Sequence, residues 1–262
     1  MTWCTIARFY KTVSTSPQNG GVAVLLDGKA VKTPGRNALL LQTAKLARAI
    51  ADEWRAQGEH IDPASMPLTG LAYAALDITP NHRGKVIDHI LNFGRSDLLC
   101  YRAERAGSAG GQSTIGGAVP SRRQDARAPR DLADRQARAW DPLLAWIGEK
   151  HGVRLQIGEG VAFIEQPVDA LLALEKLVAA LDDFQLAGLD RTTSLTGSLV
   201  LGLAILDGRL AAPEAFPAAL VDETFQAETW GRDAAAEARR AQMLKELEAA
   251  ERFVKLATTA PA

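Results

Sequence analysis

The 262 residues include only two cysteines, Cys4 and Cys100, too far apart for a disulfide framework and in no CxxC pair of the kind that binds zinc. They read as free thiols of a reducing compartment. The longest apolar run, residues 199–206, falls far short of the ~20 residues a helix needs to cross a bilayer, which argues against membrane insertion. Neither sign of charge is in excess: 30 Lys+Arg against 31 Asp+Glu leave −1, so no global field draws the chain to nucleic acid. Aromatics are scarce at 6%, and the basic stretch around Arg122, Arg123, Arg127 and Arg130 has none interleaved for base stacking. Residues 1–7 lack both the apolar core of a signal peptide and the Arg/Ser-rich pattern of a transit peptide, so a cytosol-like compartment is expected.

Catalytic signatures are missing too. There is no GxSxG, no HExxH, no Walker loop and no GxGxxG between a strand and a helix. Gly28-Lys-Ala-Val-Lys-Thr faintly resembles a phosphate loop, but Lys29 directly follows a turn and no helix opens behind it. Of His60, His82, His89 and His151, the middle two are two helical turns apart, ~10 Å, too far to share a metal. Cys100 lies in an apolar run, where a thiol is an inert small hydrophobe.

What is present is an ordinary globular composition, 47% hydrophobic and 23% charged, over a length that allows one large domain or two small ones. The first forty residues read as strands, at 8–13, 22–26, 29–33 and 38–41, with Asp27-Gly28 as a type I′ hairpin turn. Thr43 then caps a helix that carries Leu46, Ile50 and Trp54 on one face and ends near Gly58. Pro63 and Pro67 favour an extended connection over 61–69. Helices are expected over 71–78, 85–93, 132–151 (Trp140, Leu143, Leu144 and Ile147 inward), 169–181, 195–206, 213–228 and 232–256, with a short hairpin at 153–157 and 161–164. Residues 105–121 hold five glycines and two large aliphatics, the composition of a mobile loop.

The acidic concentration lies at residues 214–251, nine acids against four bases. Within it, Asp222, Gln226 and Thr229 stand at i, i+4, i+7 and would form one polar helical stripe. By composition alone, Phe225 and Trp230 pack inward and the acids are solvated.

Longer strings carry a family resemblance. Arg8-Phe-Tyr-Lys, Leu26-Asp-Gly-Lys with Lys32-Thr-Pro, Ala51-Asp-Glu-Trp-Arg-Ala-Gln57, Ile61-Asp-Pro, Met66-Pro-Leu-Thr69 and Asp97-Leu-Leu-Cys-Tyr-Arg-Ala103 recur in the order seen in the assembly chaperones of the ATP synthase F(1) α subunit. Arg135-Gln, Trp140-Asp-Pro-Leu-Leu, Gln166-Pro, Leu195-Thr-Gly-Ser-Leu-Val-Leu201 and Asp222-Glu-Thr-Phe-Gln-Ala-Glu-Thr-Trp-Gly-Arg-Asp233 continue it. The chain thus resembles that family over residues 7–104 and 131–255. The departure is residues 105–130, expected as a flexible loop, where the family passes quickly from Tyr-Arg-Ala to Arg-Gln.

The resemblance implies an α+β fold, a small N-terminal antiparallel β-sheet/helix domain (1–80) followed by a C-terminal orthogonal helical bundle (81–257). It implies an ATP-independent chaperone without cofactor, metal or catalytic residues, a monomer whose partner is the F(1) α subunit and which shields that subunit's β-facing surface. The expected location is the bacterial cytoplasm, equivalent to the mitochondrial matrix in eukaryotes. Asp222, Glu223, Gln226, Glu228 and Trp230 carry over as partner contacts, Trp54 and Trp140 as structural anchors. The alternative from residue chemistry is a small-molecule enzyme using Asp222, Glu223 or Glu228 as acid or base; it requires these carboxylates to converge on a pocket.

Overall fold

Two-residue turns build the sheet. In this computed structural model, which describes residues 6–104, 128–231 and 233–258, a short β1 (Ile6–Ala7) precedes β2 (Val13–Gln18) and β3 (Gly21–Leu26). These last two pair antiparallel from Val13 opposite Leu26 to Gln18 opposite Gly21, leaving Asn19 and Gly20 as the turn. Asp27 and Gly28, at φ 47° and 79°, return the chain into β4 (Lys29–Ala30), the type I′ geometry the pair implies. β5 (Leu40–Leu41) pairs with the start of β3.

The strand expected at 8–13 sits later, as β2 at 13–18. The amides of Lys11 and Thr12 donate to the Asp27 carboxylate, at 3.1 and 2.7 Å, and so are withdrawn from any ladder. The same bonds, the Thr12 amide's foremost, hold that carboxyl below its usual range. β2 is a polar edge strand, where Pro17 costs no central ladder bond.

Helix α1 (Ala44–Arg55) begins where Thr43 accepts from the Leu46 amide (3.1 Å) and lays buried Leu46, Ile50 and Trp54 on the sheet. Its cap is Ala56 in a right-handed conformation, two residues before Gly58, so no left-handed glycine ends it. β6 (His60–Ile61) pairs with β1. The extended connection expected over 61–69 is instead a 3₁₀ turn, Pro63–Ser65, and the start of α2 (Pro67–Tyr73), because Pro67 occupies the first helical position, where no N–H is needed. Glu53 caps this helix, accepting from the Leu68 and Thr69 amides at 2.8 Å each. Gln57 accepts from the Asp62 amide (2.7 Å) and donates to Ser65 Oγ (3.0 Å), so the Glu-Trp-x-x-Gln string clamps the end of α1 to the start of α2.

A π turn, Ala74–Ile78, joins α2 to α3 (Thr79–Arg95), which is irregular at His82. A 3₁₀ turn, Leu98–Cys100, and β7 (Tyr101–Arg102) follow, then α4 (Ala128–His151). Of the loop expected over 105–130, residues 128–130 open α4 and the rest lies outside the described residues. The hairpin expected at 153–164 is absent. Only Gly158–Glu159 forms a strand, β8, and it pairs parallel with β7. The Gln166 side chain takes the ladder's place, accepting from the Gln156 amide (2.8 Å) and donating to its carbonyl (3.1 Å).

Six helices follow among the described residues: α5 (Val168–Ala179), α6 (Asp183–Thr196), α7 (Leu199–Leu206), α8 (Ala212–Ala219), α9 (Val221–Trp230) and the long α10 (Ala234–Ala257). The helix expected over 195–206 is broken at Gly197, φ 70°, and Ser198, which caps α7. The one expected over 213–228 is broken at Leu220, three residues beyond Pro217. α6 has no counterpart among the sequence-based expectations.

Two hydrophobic clusters form the interior. The first joins the sheet, α1 and α2 to Phe184 and Ala187 of α6 and to Phe253, Val254 and Ala257 of α10; Phe184 and Phe253 stack at 5.8 Å. The second gathers Ile90, Leu99, Trp140, Ile147, Leu174 and α7, with Leu186 and Leu189 of α6 and Leu247 of α10. α6 and α10 therefore carry residues of both.

Asp97 locks the second cluster. Fully buried, its carboxylate accepts from Ser198 Oγ (2.7 Å) and from the Leu99 and Val200 amides (3.0 Å each), tying the 97–100 turn to the N-terminus of α7. Burial pushes its carboxyl up to about 6 against the pull of those bonds. Its proton is held more tightly folded than unfolded, so the part of its contribution that depends on protonation is full below the ordinary carboxylate value, ~3.9, and is lost as pH rises through 6, while the hydrogen bonds it accepts remain. Between pH 7 and pH 4 the wild type should gain about 2 kcal/mol relative to Asp97→Asn. Urea midpoints of both proteins across that range check this; parallel curves contradict it.

Candidate partner-binding site

Helix α9 follows directly on α8, and none of its ten residues is buried. Two of its faces are nonetheless held. On one, the buried Gln136 of α4 donates through Nε2 to Asp222 (2.7 Å), Arg135 pairs with Glu228 (2.5 Å), and the Arg135 guanidinium lies 5.3 Å from the Phe225 ring centroid. On the other, Arg240 of α10 donates to Thr224 Oγ1 (3.1 Å) and stands 3.6 Å from Glu223. These contacts account for the Arg135-Gln string: its side chains position α9.

Helical geometry leaves one face free. Gln226 and Trp230, at i and i+4, point to solvent together, with Trp230 77% exposed, and Glu223 stands at the edge of this face, exposed although it pairs with Arg240. The stripe inferred at Asp222, Gln226 and Thr229 is displaced accordingly, because Asp222 turns to Gln136. Inward packing holds for Phe225, half-buried under Arg135, and fails for Trp230, the exposed last residue of α9. Beside α9 runs a groove of about 300 Å³ between α8 and α10, with Phe216, Pro217, Leu220 and Leu244 as its apolar lining.

The two tryptophans expected as anchors are both buried. Trp54 is buried, its ring edge-on to Tyr10 at 5.6 Å, and the Tyr10 hydroxyl donates to the Trp54 carbonyl (2.6 Å). Trp140 is fully buried, donates through Nε1 to the Ala218 carbonyl (2.7 Å), and has the Arg102 guanidinium 4.9 Å from its ring centroid. It therefore anchors α4 to α8, just ahead of α9.

Acid–base chemistry finds little footing at α9. Asp222 and Glu228 engage separate partners on α4, and neither they nor Glu223 line the adjacent groove. Burial, with Asp97 nearby, pushes the Cys100 thiol up to about 12, so it is no nucleophile. His89 pairs with Asp190 and His151 with Asp207, each at 2.7 Å. Among the described residues no group of three or more His, Cys, Asp or Glu could hold a metal ion, and no helix is long and apolar enough to cross a membrane. Sequence reasoning missed Arg135, Gln136 and Arg240 as the residues that set which side of α9 is open.

Comparisons with known proteins agree with the strings quoted above. The chain matches the family described as ATP12 chaperone protein over residues 7–148. It is 38% identical to Atp12 from Paracoccus denitrificans, whose crystal structure superposes with a TM-score of 0.83 over 98% of this chain and 100% of that one. A point mutant of the same Paracoccus protein gives the same identity and TM-score over 97% and 98%. Protein atp12, mitochondrial, of Schizosaccharomyces pombe is 24% identical over 233 residues, 86% of this chain and 73% of that protein. Protein ATP12, mitochondrial, of Saccharomyces cerevisiae is 25% identical over 252 residues, 87% and 77%. With the family matched over more than half of its length and the Paracoccus fold over nearly all of it, this chain belongs to the ATP12 chaperone family.

Proposed function

We propose that this member of a family of ATP synthase assembly chaperones binds the α subunit of F(1), without ATP, and covers its β-facing surface until the α/β hexamer assembles. The observation that carries this reading is the open face of α9: an amide and an exposed indole, with the Arg240-paired carboxylate of Glu223 at their edge, on a helix whose other faces are held by α4 and α10. An exposed indole beside a carboxylate suits a partner that offers an apolar pocket rimmed by basic groups. A chaperone must also let go. A small, mixed surface gives modest affinity that the true partner subunit displaces. The protein acts, on this reading, as a monomer in the bacterial cytoplasm, where F(1) subunits fold.

Affinity capture from native extract, with α quantified against β, tests the client. We expect enrichment of α over β by at least tenfold, and Trp230→Ala should reduce it severalfold. Because Trp230 is so exposed, that variant should lose less than ~1 kcal/mol of stability. Enrichment of neither subunit, or of both equally, contradicts the proposal.

A further inference from the structure

Helix α10 changes surroundings along its length. From Leu247 onward it carries core residues, whereas none of the side chains it presents between 234 and 246 is buried. In that outer half Arg240 and Leu244 face the groove beside α9, while Gln242, Lys245 and Glu246 face a second and larger groove, about 620 Å³. Its opposite wall is the start of α2, and Arg191 of α6 completes it.

The walls of this second groove differ in chemistry. The α2 side is small and mostly apolar, with Ala64, Pro67, Gly70 and Leu71 beside the single polar side chain of Ser65. A Cβ at Gly70 would meet nothing within 4 Å, so an incoming chain can lie against the helix backbone there. On the α10 side Glu246 is already engaged, paired with Arg191 and accepting from Gln242 Nε2 (2.9 Å). Lys245 has no ion-pair partner among the described residues, which leaves the groove one uncompensated positive charge above an apolar floor.

We propose that this groove holds a short acidic, apolar segment of the client polypeptide, with an aliphatic side chain over Gly70 and Leu71 and a carboxylate on Lys245. The assignment rests on the reading of the protein as a chaperone for an F(1) subunit, and gives it a second attachment point on the far side of α10. The two points have opposite charge preference, since α9 presents Glu223. Two weak contacts linked through one rigid helix hold a client more firmly than either alone, yet release stepwise.

Fifteen-residue peptides tiling the F(1) α and β subunits, read by fluorescence anisotropy, test it. Peptides that place Asp or Glu beside Leu, Ile or Val should bind the wild type. Gly70→Leu, which fills the groove at an exposed position and improves helix propensity, should raise their Kd at least tenfold without lowering the melting temperature. Lys245→Glu should do the same, and should restore binding of peptides whose acid is replaced by Lys. Glu149→Lys, at an exposed position of α4 that lines neither groove, should leave peptide affinity unchanged. Peptide binding insensitive to both groove substitutions, or no binding at all, overturns the proposal. So does a wild-type dimer that Gly70→Leu dissociates, which would give the groove to a second copy. Aggregation of the whole α subunit reads client identity separately: a wild type that fails to hold α refutes that client, while the peptides still decide the groove.

Discussion

Asp97→Ala is expected to destabilise the protein by roughly 3–5 kcal/mol and lower its melting temperature by on the order of 10 °C. Removing the carboxylate strands the Ser198 hydroxyl and the Leu99 and Val200 amides in a site that water does not reach. Each such donor costs about 1–3 kcal/mol, offset in part by no longer burying a charge. Asp97→Asn keeps one acceptor oxygen and should lose less. The same bonds explain why the Asp97-Leu-Leu-Cys and Thr-Gly-Ser-Leu strings occur together: one supplies the acceptor and the other the capped helix. Urea unfolding at pH 7 measures the effect, and a loss below ~1 kcal/mol would show that the network contributes little.

Trp54→Ala should cost ~3–5 kcal/mol, as large aromatic truncations in cores do. The indole fills the space between α1 and Tyr10, and its Nε1 has no hydrogen-bond partner among the described residues, so what it supplies is volume. Trp54→Phe should accordingly lose only ~1–2 kcal/mol. Trp54→Ala protein that remains folded in the cold should still capture its client. An unchanged melting temperature with capture abolished would make Trp54 a contact residue instead of an anchor.

The parts of the fold legible in the sequence are those fixed by local chemistry or by a one-sided environment. Asp27-Gly28 demands positive φ wherever it lies, Thr43 caps its own helix, and Leu46, Ile50 and Trp54 share a face because only one side of α1 is buried. α6 escaped because Phe184, Leu186, Ala187, Leu189 and Thr192 are buried on several sides, so no apolar period stands out; the Asp182 and Gln185 capping box was its one local sign. Val161 and Phe163 imitate an alternating strand but are exposed, and the Gln166 side chain makes the contacts a partner strand would have made. At the candidate site the acidic helix was legible and its open face was not. That face is selected by Gln136 and Arg240, side chains far from Asp222 and Thr224 in sequence, and no helical wheel of residues 222–233 contains them.

The central claim is that the open face of α9 holds the client. Its most direct test is capture of purified F(1) α subunit by the wild type, Glu223→Lys and Glu248→Lys at low and high salt, with circular dichroism and melting temperature recorded for each. Glu223 and Glu248 are both exposed, so neither reversal should cost more than ~1 kcal/mol. Glu223→Lys is expected to lose at least tenfold in affinity at low salt and less at high salt, because screening weakens both the lost attraction and the added repulsion. Glu248→Lys should behave as wild type. Equal capture by the two folded variants would contradict the claim.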